Sequence, residues 1–441
     1  MAGGTFIAQN KIRPGAYLNF KSVGTPDVKI GARGIVTFAT ELDWGAEGKL
    51  IELYSSDMTS GDSLAKVGFT AFDKSSKLAN LALSNAYLLK LYRLNKGGAK
   101  ATTTIGDLTV TAKYSGLFGN KIAMLIKDLE NGLFEVSTYA DGYAVDTQKA
   151  ATIADLVSND FVDFSGEGAL TESASVLLKG GTNGEYSNVN YTEYFGLLKT
   201  TQWQTLAIVQ NADEVNSLAA QFIEEMRDAE GKYVQVVLAN YDDANYEGII
   251  NNVSSVVMDN ETITVDEFNA YVAGITAGAS LVESNTGKVV EGATSIVNPL
   301  TNDEIIAALQ EGKFVLSTNQ DGNIKVEKDI NSLHTFTADR SYTFSKNRVI
   351  RTLDEIGTSV CSIWENTYLG KVSNNDAGRT LFKSSIINYL TELQNLGAIQ
   401  NFESDKVEVI AGGDIDSVIA NIAIQPVDSM EILYMTINVV D

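Results

Sequence analysis

The sequence predicts an α/β multidomain protein with α/β core domains, an inserted β-rich domain, and extended strand arms at the N- and C-terminal ends. Three observations predict it. Hydrophobic periodicity alternates between strand and helix over residues 186–345. It gives way to Thr- and Gly-rich, strand-like alternation over residues 99–185. Short apolar pieces near the N-terminus could form strand only in another sheet, and a long apolar strand follows the last helices as the final element. At 441 residues the chain is too long for one compact core, and two to four domains are expected. Apolar residues make up 44% and charged residues 20%, an ordinary globular balance.

Each element follows from its own residues. Gly3, Gly4, Asn10 and Pro14 break any helix over residues 1–20. The pieces Phe6-Ile7 and Ala16-Tyr17-Leu18 therefore form strand only where another sheet receives them, the alternative being a disordered tail. The β-branched and aromatic run Gly34–Thr40 is a strand, and residues 76–94 read as helix followed by strand. Leu108–Tyr114, Lys121–Lys127 and Leu133–Tyr139 are strands, with Asn131-Gly132 supplying a hairpin turn. Thr205–Val209 and Tyr233–Leu238 are continuous apolar strands joined by a helix from Ala212, with Val215, Leu218, Phe222 and Met226 on one face. Asn211 and Glu214 have capping-box spacing at its start, and Gly231 closes it. This is a βαβ unit with buried parallel strands. Two more capped helices open at Thr264 (with Glu267) and Thr301 (with Glu304), the second stopping at Gly312 before the strand Phe314–Thr318.

Two long amphipathic helices follow. The first covers about 346–369 with Val349, Leu353, Ile356, Val360, Ile363 and Trp364 inward. The second covers about 377–396 with Phe382, Ile386, Tyr389, Leu390 and Leu393 inward and Gly397 as its stop. Strands at Val407–Ile410, Val418–Ile424 and Ile432–Val440 come last. The expected divisions are an N-terminal arm (1–20), a discontinuous α/β domain (21–98 and 186–345), an inserted β-rich domain (99–185), a C-terminal domain (346–430) and a C-terminal arm strand (431–441).

Charge and rare residues narrow the function. Lys plus Arg number 33 against 56 Asp plus Glu, a net charge of −23. Such a surface repels phosphate backbones and anionic lipid heads, which argues against nucleic acid as a partner. The acidity serves solubility, or keeps subunits monomeric until a template nucleates assembly. One cysteine, Cys361, precludes an intramolecular disulfide; its neighbours Val360, Ile363 and Trp364 suggest a buried thiol in a helix. One histidine, His334, is expected to be structural, and these counts leave no usual His/Cys zinc site. Gly180-Gly181-Thr182-Asn183-Gly184 lacks the lysine and capped helix of a phosphate loop and reads as a turn, and Asp242-Asp243 as a solvated loop. No catalytic, cofactor-binding or metal-ligating residues are assigned. The N-terminus has no basic region followed by an apolar run, and no apolar stretch approaches the ~20 residues of a membrane span, so folding in a cytoplasm is expected. Lys346, Arg348 and Arg351 open one long helix, and Lys371, Arg379 and Lys383 surround the start of the next. Bases there oppose the helix macrodipole. They form either an ordinary solvated face or the contact for a negatively charged partner.

Several stretches carry a family resemblance in matching order along the chain. Asn10-Lys11-Ile12-Arg13-Pro14-Gly15-Ala16-Tyr17 comes first, then Ala112–Asn120 and Leu178–Gly184. Asp329-Ile330-Asn331-Ser332-Leu333, Phe344–Asp354, Gly370–Asn375 and Gln425-Pro426-Val427-Asp428-Ser429-Met430-Glu431 follow. Together they resemble contractile phage tail sheath proteins, in the branch of Gram-positive defective prophages, clostridial myophages and phage-tail-like bacteriocins. The resemblance implies a structural subunit without enzymatic activity or cofactor. It implies hexameric rings stacked around a tail tube, with baseplate and tail terminator at the ends, assembled in the bacterial host cytoplasm. It also implies that terminal arms complete a β-sheet in neighbouring subunits, through Phe6, Ile7 and Tyr17 at one end and Ile432, Leu433, Tyr434, Met435, Ile437 and Val439 at the other. Lys371, Arg379 and Lys383 are then the candidates for contacting the tube. The alternatives are another tail structural protein, at the baseplate or associated with the tube, and an α/β enzyme.

Overall fold

A computed structural model of the chain describes residues 33–210 and 212–439, and the backbone of 2–4 and 15–17. The expected N-cap Asn211 and the arm positions Phe6 and Ile7 lie outside the described residues. Chain boundaries at Glu355/Ile356 and at Gln425/Pro426 separate two compact units.

The first unit is built on a twisted seven-stranded sheet. Its elements in chain order are β1 (Ile35–Thr40), β2 (Leu50–Tyr54), helix α1 (Lys77–Leu83) and β3 (Leu88–Arg93). A β-rich excursion interrupts the sheet at this point. It comprises β4 (Lys100–Ile105), β5 (Leu108–Ser115), β6 (Ile122–Asp128), β7 (Phe134–Ala140), β8 (Tyr143–Ala150), β9 (Val162–Ser165) and β10 (Ser173–Leu177). The alternation then resumes with α2 (Asn188–Leu198), β11 (Thr205–Ala207), α3 (Ala212–Glu224), β12 (Gln235–Ala239) and β13 (Ile249–Asn252). Helices α4 (Val265–Gly278) and α5 (Asn302–Gln310) and the short β14 (Lys313–Phe314) complete it.

Strand order is β14-β13-β12-β11-β1-β3-β2, parallel throughout except that β2 runs against β3. The expected βαβ unit is present, with Leu206 opposite Val236. Strand side chains alternate between two cores. Val36, Phe38, Leu89, Leu91 and Val237 pack with α1 and α4 through Ala82, Phe268 and Ile275. Ile35, Leu206, Val236 and Leu238 pack with α2 and α3 through Tyr194, Phe195, Val215, Phe222 and Ile223. Burial on both faces explains why these strands read as unbroken apolar runs. The capping boxes predicted at Thr264 and Thr301 form: the Glu267 amide donates to Thr264 Oγ1 (3.3 Å) and the Thr264 amide to Glu267 Oε2 (3.0 Å), and Thr301 and Glu304 do the same.

The excursion folds into two facing sheets, β8-β7-β6-β10 and β9-β5-β4, that share one core. Asn131-Gly132 does turn the β6–β7 hairpin, inside a loop in which Glu130, Asn131 and Gly132 all have positive φ (69°, 59° and 72°). Trp44 closes the base of this core. It lies 5.1 Å from the Tyr114 ring and 5.3 Å from that of Phe118, and its Nε1 donates to Ala65 O (2.9 Å). Two of the resemblance-carrying stretches meet here. Asn120 and Gly181 exchange two hydrogen bonds (2.8 and 2.9 Å), and Asn183 Oδ1 accepts from the Leu117 amide (3.0 Å). Gly116 is obligatory: its φ is 129°, and a Cβ there would stand 1.9 Å from Asp43 O.

Helix α6 (Asn347–Ile363) crosses the unit boundary and ends in a wider π-type turn over Trp364–Tyr368 instead of running on to 369. The second unit then contains α7 (Asp376–Leu396), capped by Asn375, which accepts from the Gly378 amide (2.8 Å), and stopped by left-handed Gly397. An antiparallel pair follows, β15 (Val407–Ala411) and β16 (Val418–Ile422). Phe382, Ile386, Tyr389, Leu390 and Leu393 point inward as the periodicity predicts. Cys361 does not: it is exposed, because residues adjacent in sequence lie about 100° apart on a helix, and the buried stripe passes through Ile356 and Ile363. Ala2–Gly4 and Gly15–Tyr17 pair as parallel strands, with Gly4 opposite Tyr17.

The Phe195 and Phe222 rings stack with centroids 4.6 Å apart under the main sheet. Phe222→Ala should therefore lower stability by about 3–5 kcal/mol. Phe72→Ala, at a side chain 98% exposed, should change it by less than about 0.5 kcal/mol. Urea unfolding of the full chain, followed by tryptophan fluorescence, measures both.

Candidate assembly surfaces

The start of α6 is rooted in the first unit by buried charge. Arg351, fully buried, donates from Nη2 to Glu283 O (2.7 Å) and to Asp329 Oδ2 (3.2 Å). Asp329 also accepts from Asn347 Nδ2 and from the Asn285 amide (both 2.9 Å), while its own amide donates to Thr286 Oγ1 (2.8 Å). One turn on, Asp354 takes a bidentate pair from Arg227 at 2.7 and 2.9 Å. Burial disfavours the Arg227 guanidinium, but Asp354 outweighs that and holds its pKa above the ordinary value. Arg33 faces Glu355 at 3.9 Å, and burial, reinforced by Arg351, lowers its pKa to about 10.

The same cluster holds the segment that precedes the expected C-terminal arm. Thr286 Oγ1 donates to Glu431 Oε1 (2.7 Å), and the other Glu431 oxygen is paired with buried Lys346, which also faces Asp428 at 3.5 Å. Burial opposes the Lys346 charge, but Glu431 and then Asp428 win and raise its pKa. Lys346 and Arg351 are thus not the open positive region expected from sequence. They are consumed within the unit, and Arg348 is buried as well.

Immediately after Glu431 the environment reverses. Leu433 is 82% exposed, Tyr434 91% and Val439 89%, and Ile432, Met435 and Ile437 are exposed too. Residues 427–439 belong to no strand ladder among the described residues. Solvent-exposed, contiguous large apolar residues of this kind mark an interaction surface.

The second unit has open strand edges. β15 and β16 form a sheet of two strands only, so both outer edges are unpaired within the described residues. One face packs on α7 through buried Val407; the other leaves Ile410 and Ile419 exposed. Beyond the hairpin tip, Trp364, Tyr368, Phe382, Arg379 and exposed Ile415 line a hollow of about 410 Å³. Of the tube-contact candidates, Arg379 is tied to Asn374 Oδ1 (2.7 Å) and to Asp376, and Lys371 donates to Asn366 O. Lys383 lies one turn along α7 from Arg379, is half-buried, and makes no ion pair among the described residues. Tyr17 falls in the parallel pair described above. No group of three or more His, Cys, Asp or Glu able to hold a metal occurs among the described residues, and no helix there is long and apolar enough to cross a membrane.

The fold and its open strand edges have the build of a self-assembling structural protein. Three family profiles match consecutive regions: the phage tail sheath protein beta-sandwich domain over 96–183, the phage tail sheath protein central domain over 184–332, and the phage tail sheath C-terminal domain over 339–440. The Bacillus subtilis phage-like element PBSX protein XkdK is 32% identical over 470 aligned residues, covering 100% of both chains. The crystal structure of a sheath tail protein from Desulfitobacterium hafniense is 41% identical, with a TM-score of 0.84 over 94% of this chain and 97% of its own. That of a sheath tail protein from Listeria innocua is 32% identical, with a TM-score of 0.81 over 91% and 93%. The chain belongs to the phage tail sheath protein family. Its function is that of a sheath subunit of a contractile tail or tail-like particle.

A buried pair is worth most when one partner is lost. Asp354→Leu should destabilise the protein by about 3–5 kcal/mol, because it strands the Arg227 charge, whereas Arg227→Met with Asp354→Leu should recover most of that. Urea unfolding of both variants decides it.

Proposed function

We propose that the chain polymerises as stacked hexameric rings around a tail tube, and that the assembled sheath shortens to drive the tube through a target cell envelope. The observation that carries this reading is the exposed, unpaired segment 432–439. Leaving so much apolar surface in water is unfavourable by about 25 cal/mol per Å², and burial against another copy removes that cost. In this reading the segment adds a strand to the β15–β16 sheet of a neighbouring subunit. Backbone hydrogen bonds supply affinity and the alternation of side chains supplies register. Phe6, Ile7 and Tyr17 act in the same way from the other end. The arms tether subunits while their bodies move.

Leu433, Met435, Ile437 and Val439 fall on one face of an extended strand, and Ile432, Tyr434, Thr436 and Asn438 on the other. The fully apolar face suits the α7 side of the acceptor sheet. Lys371, Arg379 and Lys383 contact acidic residues of the tube through weak, salt-screened ion pairs, which suit an interface that must release on triggering. Because Arg379 and Lys371 already have partners in the chain, Lys383 carries most of this contact. Baseplate and tail terminator bound the polymer. Assembly takes place in the bacterial host cytoplasm, with no nucleic acid bound and no direct insertion into membrane, and the role is structural with no enzymatic step or cofactor.

Negative-stain microscopy of the purified protein should show hollow tubes or rings. Deleting residues 432–441 should leave a folded protein that no longer forms them, and unimpaired tubes from the deletion would refute arm exchange. Lys383→Glu should lower decoration of purified tail tubes several-fold at low salt; undiminished decoration would remove Lys383 from the contact.

A further inference from the structure

Three of the stretches that carry the family resemblance meet at one buried cluster, the third of them from about 75 residues further along the chain. Asp329 comes from the first, Lys346, Asn347 and Arg351 from the second, and Asp428 and Glu431 from the third. The strand reading of segment 432–439 explains none of this, because every one of these side chains lies before the exposed segment begins. The transition is abrupt. The Glu431 side chain is 10% exposed and held by Lys346 and Thr286, with a longer bond from the Ser429 hydroxyl (3.3 Å), while Leu433 is 82% exposed. Thr286 passes the connection on, since its hydroxyl also accepts from the Asp329 amide, and Asp329 is in turn held by Arg351 and Asn347 of α6.

We infer that Glu431 is the anchor of the C-terminal arm: Lys346 and Thr286 clamp its carboxylate and so fix the point and direction in which the arm leaves its own subunit. This rests on the reading of 432–439 as a donated strand and adds a positioning device to it. Two consequences follow. A fixed root restricts the conformations open to a free arm, so less entropy is lost when a neighbour receives it. Tension along the arm also ends on buried charge-assisted hydrogen bonds rooted in α6, in place of a flexible linker.

The test uses the full chain with Cys361→Ser, so that a single nitroxide can be placed at Leu433→Cys. With the clamp intact, the label two residues beyond Glu431 should show restricted motion by electron paramagnetic resonance. Glu431→Gln keeps the side-chain shape and removes the charge; Thr286→Val removes the hydroxyl that donates to Glu431 and accepts from the Asp329 amide. Each should free the label and, in unlabelled protein, raise the lowest concentration that supports polymerisation about tenfold, with the circular dichroism spectrum unchanged. A label equally mobile with and without the clamp, or polymerisation of both variants at the parental concentration, would overturn the inference. The deletion of 432–441 separates the two readings. If the deletion abolishes polymerisation and the clamp variants do not impair it, the arm stands and the anchor falls. If the deletion polymerises normally, arm exchange falls, and with it the anchor.

Discussion

The arrangement depends on keeping charge out of water around Asp329. A buried carboxylate is tolerated only if it is fully paired and hydrogen-bonded, and Asp329 receives Arg351, Asn347 and the Asn285 amide. Satisfying that one group places the start of α6, the Glu283–Thr286 turn and, through Thr286 and Lys346, the segment ending at Glu431. Such clusters are weak evidence for net stability, since apolar replacements of equal volume often do as well. What they supply is a defined geometry, because each hydrogen bond admits only a narrow range of distances and angles.

This also explains how far the sequence could be read. The strands and helices of the main sheet follow from periodicity alone, because Val36, Phe38, Leu206 and Val236 face two apolar cores and the signal is hydrophobic. The capping boxes at Thr264 and Thr301 and the turn at Asn131-Gly132 were legible because their chemistry is local. The buried cluster was not. Lys346 and Arg351 look like surface bases at a helix start, and their partners lie far along the chain at Glu431 and Asp329. Trp44 was missed for the same reason: it belongs by sequence to the region before the β-rich excursion, yet it packs at the base of that excursion's core. Cys361 shows the opposite error, in which apolar neighbours in sequence suggested a burial that the helix face does not provide.

Charge has two separate uses in this molecule. The chain carries a net charge of −23, and surface pairs such as Arg379 with fully exposed Asp376 contribute little to stability. The buried pairs act over short range and are insensitive to salt by comparison.

If residues 432–439 are a strand that belongs to another copy of the chain, held at its root by its own, cryo-electron microscopy of the assembled polymer will show it. Continuous density should run from Glu431, still seated on Lys346 of the same subunit, to a strand at 432–439 hydrogen-bonded along the open edge of a neighbouring subunit's β15–β16 pair. Density showing that segment folded back onto its own subunit, or leaving a neighbour's edge unpaired, would contradict it.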